Sequence, residues 1–319
     1  MSADAAPRPV IAVDWGTSSF RAYALGPAGE VQAQKSSPRG ILRVEPGGFP
    51  AALHEEIGGW LADRPRALVM MSGMIGSRQG WREVPYRSCP CDLTGLAEGL
   101  TRIDWAEGSD SDAEVWIAPG LSDRMESASP DVMRGEEVQV FGALGELSGD
   151  SALVCLPGTH SKWATVGAGT VRGFATYMTG EVYDLLQAHS ILGRLMTPDG
   201  VAADDWFAEG VRQGASDRAL LHLLFSVRSR VLSGEMPQEG ARAYLSGLLI
   251  GKEVAAALRS ADEDVADEGV AEVVLIGAAG LVGLYEAALA QQGRSVRVIG
   301  GDVVAQGLFQ LARRLQDQA

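Results

Sequence analysis

Short apolar runs at residues 10–13, 20–25 and 31–34 are separated by Gly16-Thr17-Ser18-Ser19 and Gly26-Pro27-Ala28-Gly29, a spacing that predicts a three-stranded meander. The pattern then predicts a helix over about 48–62 and a buried strand over 67–71. Next comes a polar, glycine-rich loop from Ser72 to Arg87, with the composition of a site rather than a connector. A strand at 115–118 leads toward a helix beginning near Gly135 and ending about Leu147. Beyond a Ser148-Gly149-Asp150 turn the opening pattern returns: strands at 152–156 and 162–166 flank Pro157-Gly158-Thr159-His160-Ser161, and a third follows at 171–178. The remainder reads as helices over 181–195, 204–232 and 240–259, a strand at 273–276, a glycine turn, a helix to about 291, a strand at 296–299 and a terminal helix. The acidic segment 261–268 reads as a solvated surface loop.

Strands alternating with helices indicate an α/β architecture. Gly16-Thr17-x-Ser19 between strands is matched 142 residues later by Gly158-Thr159-x-Ser161, which points to two related lobes. A length of 319 residues fits the same division, because one hydrophobic core usually stops growing before ~250–300 residues. The boundary falls at the Ser148-Gly149-Asp150 turn, giving lobes 1–150 and 151–319.

A formal charge of −14 with no basic block argues against nucleic acid and anionic membranes as partners, since both are held by clustered Lys and Arg. An anionic ligand must then be gripped locally, by backbone N–H groups, helix N-termini and a metal. Three cysteines, Cys89, Cys91 and Cys155, are too few and too oddly spaced for a disulfide framework and suit a reducing, cytoplasmic setting. Residues 1–8 carry no apolar run, and the longest apolar stretch, 273–285, is shorter than the ~18–20 residues a membrane span needs.

Asp14 stands at a strand end before a turn of small residues, where its carboxylate could hold Mg²⁺ while Gly16, Thr17 and Ser18 approach a phosphate. A strand-end Asp that merely caps its own turn is the plainer alternative. Gly158 and Thr159, with Lys162, supply the second half of such a clamp, and Lys162 either neutralises phosphate charge or decorates a strand. His160 reads as structural or solvent-facing. Gly277, Ala278 and Gly280, between a strand and a helix, leave room for adenosine of ATP against the backbone. In Met133-Arg134-Gly135-Glu136-Glu137, Glu136 at a helix start could accept the proton of an attacking hydroxyl, or serve only as a first-turn carboxylate. The loop residues Ser72, Gly73, Met74, Ser77, Arg78, Trp81 and Glu83 have the character of a polyol pocket, with Arg78 placed to grip a carboxylate or simply to face solvent. Thr179 and Glu181 at another helix start are polar contacts or caps. A phosphate-binding Gly-x-x-x-x-Gly-Lys-Ser/Thr loop, a Gly-x-Ser-x-Gly elbow and a His-Glu-x-x-His zinc motif are all missing, and the Gly277-x-x-Gly280 turn lacks the close glycine pair of a dinucleotide site.

Taken in order, six blocks resemble the 2-keto-3-deoxygalactonate kinases (2-dehydro-3-deoxygalactonokinases), a branch of the superfamily of sugar kinases, heat-shock ATPases and actin. The blocks are Asp14-Trp15-Gly16, residues 72–77 with Gly80-Trp81, 132–137, 157–163, 178–181 and 246–251. The resemblance spans nearly the whole chain. It implies two actin-like, ribonuclease H-like lobes around a central cleft, and ATP- and Mg²⁺-dependent phosphorylation of the 6-hydroxyl of a small sugar acid in galactonate breakdown. Sister glycerol and xylulose kinases carry Gly-Asp where this chain has Gly135-Glu136, so the resemblance leaves either Glu136 or Glu137 as the base. A kinase for another sugar, or a sensor of the same fold without turnover, is the alternative, and oligomeric state is left open.

Overall fold

The computed structural model describes residues 7–105, 112–124, 129–147, 149–197, 204–264, 272–300 and 302–318. In chain order its elements are β1 Val10–Trp15, β2 Phe20–Leu25, β3 Val31–Ser37, α1 Phe49–Asp63, β4 Leu68–Ser72, β5 Arg87–Ser88, β6 Cys91–Asp92, α2 Leu93–Ala97, β7 Thr101–Ile103, β8 Glu114–Ile117, β9 Leu121–Asp123, β10 Asp131–Met133 and α3 Glu136–Ala143. They continue with β11 Ser151–Leu156, β12 Ser161–Gly167, β13 Thr170–Tyr177, α4 Thr179–His189, α5 Asp204–Gly214, α6 Leu220–Leu232, α7 Ala241–Asp264, β14 Val273–Ile276, α8 Ala279–Gln291, β15 Val296–Ile299 and α9 Val303–Asp317.

The chain forms two compact units, Met1–Leu147 with Ala168–Gly173 and Gly301–Ala319, and Ser148–Gly167 with Phe174–Gly300. In the first, a mixed sheet runs β3-β2-β1-β4-β8-β7. β1 is antiparallel to β2 and parallel to β4, and β4 is parallel to β8. All five residues of β4 are buried, as expected of a strand covered on both faces. Trp15, Phe20, Phe49, Leu53, Val69, Met71 and Ile75 share one core, with Trp15 edge-on to Phe20 at 5.0 Å and to Phe49 at 5.6 Å. In the second unit the order is β15-β14-β11-β12-β13, with β11 antiparallel to β12 and parallel to β14. Each unit therefore carries a hairpin followed by parallel strands in the same order, as the repeated Gly-Thr turns imply.

Several expectations from the sequence need correction. The helix expected over 204–232 is two helices, α5 and α6, broken at 215–219. Residues 261–264 extend α7 rather than forming a loop, and 265–268 lie outside the described residues. Short strands β5, β6, β9 and β10 and helix α2 occupy ground with no periodic signal, because two- and three-residue strands are too short to show one.

The terminal helix also departs from the simple division at residue 150. α9 belongs to the first unit, where Val304, Leu308, Leu311 and Ala312 are buried. Its path is cut by paired glycines: a Cβ on Gly142 would sit 1.9 Å from the Val303 carbonyl oxygen, and one on Gly307 would sit 2.1 Å from that of Val138. The crossing of α5 and α7 uses the same device, since a Cβ on Gly210, Gly214, Gly247 or Gly251 would lie 2.1–2.4 Å from a backbone oxygen of the facing helix. The Gly247/Gly251 pair thus serves helix packing. Among the described residues no helix is long and apolar enough to cross a membrane.

Candidate active site

In the first unit the chemistry gathers where β1 and β4 end side by side, Asp14 standing opposite Ser72. Gly73 follows with φ +90, and Gly135, just before α3, has φ +108, both in the region that favours glycine. A Cβ on Gly73 would come within 2.9 Å of the Trp15 carbonyl oxygen and 3.2 Å of Asp14 Oδ1. One on Gly135 would be 3.1 Å from Gly73 Cα. These two glycines bring the Asp14 strand end, the start of the 72–87 loop and the N-terminus of α3 into contact.

Asp14 Oδ2 accepts from Arg21 at 2.8 Å. Burial raises the Asp14 carboxyl above its ordinary value, against the opposing pull of the Arg21 guanidinium. Glu136 lies close enough to act electrostatically on Asp14 and accepts from the Arg134 N–H at 3.0 Å. Glu137 is wholly buried, and both its oxygens face the Gly135 N–H at 2.9 and 2.7 Å. Burial first, and the Glu136 charge second, push its carboxyl up to about 8. Of the two acids that the resemblance leaves open, Glu136 is the one with access to solvent.

Gly16 is half-buried and Thr17 and Ser18 are exposed at the tip of the first hairpin, closed by the Gly16 N–H donating to the Ser19 carbonyl at 2.9 Å. The loop residues divide. Ser72 is buried with its Oγ unpartnered in the protein. Ser77 donates to the Met74 carbonyl at 2.7 Å, and Met74 and Trp81 pack onto the core, Trp81 stacking on Phe49 at 6.5 Å. Arg78 and Glu83 are 86% and 58% exposed and pair with each other at 3.5 Å. The structure therefore places Arg78 and Glu83 on the surface and Trp81 in a supporting layer. A more enclosed cation of this region is Arg134, half-buried beneath the loop.

In the second unit Gly158, Thr159 and Lys162 form the hairpin between β11 and β12. Lys162 is almost wholly buried and donates to the His160 carbonyl at 3.3 Å. The start of α4 presses on this turn: a Cβ on Gly180 would meet the Gly158 carbonyl oxygen at 2.6 Å, and the Glu181 N–H donates to the Thr159 carbonyl at 3.0 Å. Glu181 also pairs with His160 at 2.5 Å. Thr179 and Glu181, read from sequence as substrate contacts, are thus tied to the second hairpin. Gly277 lies beside the same turn, its missing Cβ 3.7 Å from the Pro157 carbonyl oxygen, while Ala278 and Gly280 are exposed at the open start of α8.

Behind the hairpin lies a buried network. Glu253 accepts from Trp163 Nε1 at 2.7 Å and from the Tyr285 hydroxyl at 2.7 Å, and that hydroxyl lies 2.8 Å from Ser161 Oγ. Burial raises the Glu253 carboxyl, opposed by hydrogen bonds from Thr179, Trp163, Tyr285 and Ser161. Sequence reasoning missed this residue. Its signal is a carboxylate between Ile250, Val254 and Ala257, all buried on the same helix.

A model of the 2-keto-3-deoxy-galactonokinase family matches residues 14–311. The chain is 41% identical over 316 residues to a probable 2-dehydro-3-deoxygalactonokinase of Rhizobium meliloti, covering 95% of this chain and 96% of that one. It is 34% identical over 297 residues to the 2-dehydro-3-deoxygalactonokinase of Escherichia coli, covering 93% and 94%. A crystal structure from Sinorhizobium meliloti, described as a candidate 2-dehydro-3-deoxygalactonokinase, superposes with a TM-score of 0.85 at 38% identity over 96% of this chain and 99% of that one. Component A of the (R)-2-hydroxyglutaryl-CoA dehydratase of Acidaminococcus fermentans, at 13% identity and a TM-score of 0.50 over 97% and 99%, is a likeness of fold alone.

Proposed function

The chain belongs to the 2-keto-3-deoxy-galactonokinase family, and from that premise we propose that it transfers the γ-phosphoryl group of ATP to the 6-hydroxyl of 2-keto-3-deoxygalactonate. The observation that carries the reading is the Gly73–Gly135 contact, which sets two partly accessible carboxylates, Asp14 and Glu136, close enough to act on one another. Phosphoryl transfer asks for little covalent help from a protein and much positioning, so one carboxylate to anchor the nucleotide and one to orient the attacking hydroxyl match the demand. Glu136 accepts the hydroxyl proton as the oxygen attacks phosphorus and ADP leaves.

Asp14 suits Mg²⁺: one of its oxygens is taken by Arg21 and the other faces Gly73, and magnesium takes only one or two protein carboxylates besides water and phosphate oxygens. Among the described residues no cluster of three or more acidic, His or Cys side chains exists that a dedicated metal cage would need. Bound there, the ion supplies charge neutralisation on the phosphates. Within the first unit Gly16, Thr17 and Ser18 would offer backbone N–H groups and hydroxyls to phosphate, within the second Gly158 and Thr159 would offer the same, and Gly277, Ala278 and Gly280 leave the start of α8 bare for adenosine. Three free thiols, Cys89, Cys91 and Cys155, fit a cytoplasmic setting.

The reading is tested by ADP release from purified protein with Mg-ATP and 2-keto-3-deoxygalactonate, its gluco epimer, neutral hexoses or no acceptor. Turnover confined to the keto-deoxy acids supports it; acceptor-independent ATP loss, or none with any acceptor, overturns it.

A further inference from the structure

The guanidinium of Arg134 is held on two sides. Nη2 donates to the Val84 carbonyl at 2.7 Å, and the group lies 4.3 Å over the ring of Tyr86. Its Nε and Nη1 are buried and have no hydrogen-bond partner in the protein. Arginine does not lose its proton in proteins, so this is a permanently charged group with most of its N–H donors unspent. Burying donors without partners is costly, and structures rarely tolerate it without a purpose. Gly76 packs beside Nη1, where an added Cβ would lie 2.9 Å from it. The nearby Ser72 Oγ, on the strand that leads into the same loop, is also buried and unpartnered.

We propose that Arg134 is the residue that grips the carboxylate of the acceptor, the part of the substrate that separates a sugar acid from a neutral sugar. This rests on the acceptor's being a sugar acid. The geometry favours Arg134 over Arg78 because a bidentate grip gains most where water is excluded, and Arg78 is 86% exposed with its charge already paired to Glu83. Arg134 also stands two residues before Glu136 and donates its backbone N–H to that carboxylate at 3.0 Å. Recognition of one end of the acceptor and deprotonation at the other are therefore built on a single turn of chain. Phosphoryl-transfer chemistry leaves Arg134 unused, whereas a carboxylate would accept charge-assisted hydrogen bonds from its unspent N–H donors.

The test is calorimetric binding, without ATP, of 2-keto-3-deoxygalactonate and of its neutral C1 amide to wild type, Arg134→Met and Arg134→Lys, with circular dichroism of each variant. Wild type should prefer the acid; Arg134→Met should lose roughly 10–100-fold in acid affinity while amide affinity stays within about threefold. Arg134→Lys should recover part of the loss, since a point charge replaces a fork. Equal losses for acid and amide would show that Arg134 only supports the loop, and an unchanged acid affinity would reject the assignment outright. Acid binding that depends on Arg134 without phosphoryl transfer would sink the kinase reading and leave this one standing.

Discussion

Glu137 folds back onto the residue that opens its own helix: its two carboxylate oxygens lie 2.9 and 2.7 Å from the Gly135 N–H, inside a fully buried site. Its neighbour Glu136 accepts from the Arg134 N–H at 3.0 Å, keeps access to solvent and acts electrostatically on Asp14. Adjacent residues on a helix project in different directions, so one acid is enclosed at the helix start while the other stays accessible.

Glu136→Gln should therefore keep the fold and substrate binding but lose about 10²–10⁴-fold in kcat, the usual worth of a general base. Steady-state kinetics with saturating ATP and acceptor would show it, and near-normal turnover would exclude Glu136 as the base.

Glu137 gives a pH-dependent stability instead. Its carboxyl ordinarily titrates at 4.5 and is raised to about 8 in the folded chain, so between those values the folded state keeps a proton that the unfolded state has lost. Stability is then fully present below pH 4.5 and falls as pH rises toward 8, by up to about 1.4 kcal/mol per pH unit from this group. Urea unfolding of wild type and Glu137→Gln at several pH values should give a shallower decline in the variant; parallel curves would mean that Glu137 does not carry the effect.

Gly73→Ala and Gly135→Ala each force a Cβ into a positive-φ position already in contact with backbone. Each should cost about 1–3 kcal/mol, lowering Tm by several degrees, and should also reduce kcat because the two carboxylates move apart. Gly59→Ala, a helical site with nothing within 4 Å of the added Cβ, is the control and should be neutral or slightly stabilising.

Removing the Glu253 carboxylate leaves Trp163 Nε1 without its acceptor, at about 1–3 kcal/mol, and the Tyr285 hydroxyl with Ser161 Oγ as its remaining partner. Because the same network holds Ser161 and Thr179, Glu253→Gln, which keeps an acceptor, should restore most of the stability but raise KM for ATP more than KM for the acceptor. Equal changes in both constants would make Glu253 purely structural.

Arg78→Ala removes an exposed ion pair and should shift stability by no more than about 0.5 kcal/mol. Acceptor KM should move less than twofold; a loss of tenfold or more would return the carboxylate to Arg78.

The sequence by itself determined the elements with long, regular patterns: the two hairpins with their Gly-Thr turns, the strand ending at Asp14, the helix starting at Glu136, and the α/β alternation. These are legible because strand and helix periodicity, and the residues that a turn demands, are local properties of the chain. The ordered blocks around them were enough to place the chain in its family. Only the tertiary structure decided which charged residues are enclosed. Arg78 and Arg134 look alike in sequence, yet one is in water and the other lies under Gly76, because burial depends on what packs across from a residue rather than beside it in the chain. Glu136 and Glu137 differ for the same reason, and so does α9, whose apolar stripe does not say which sheet it will cover. Glu253 reached its donors from segments 32 to 92 residues away, a distance over which no spacing rule in the sequence operates.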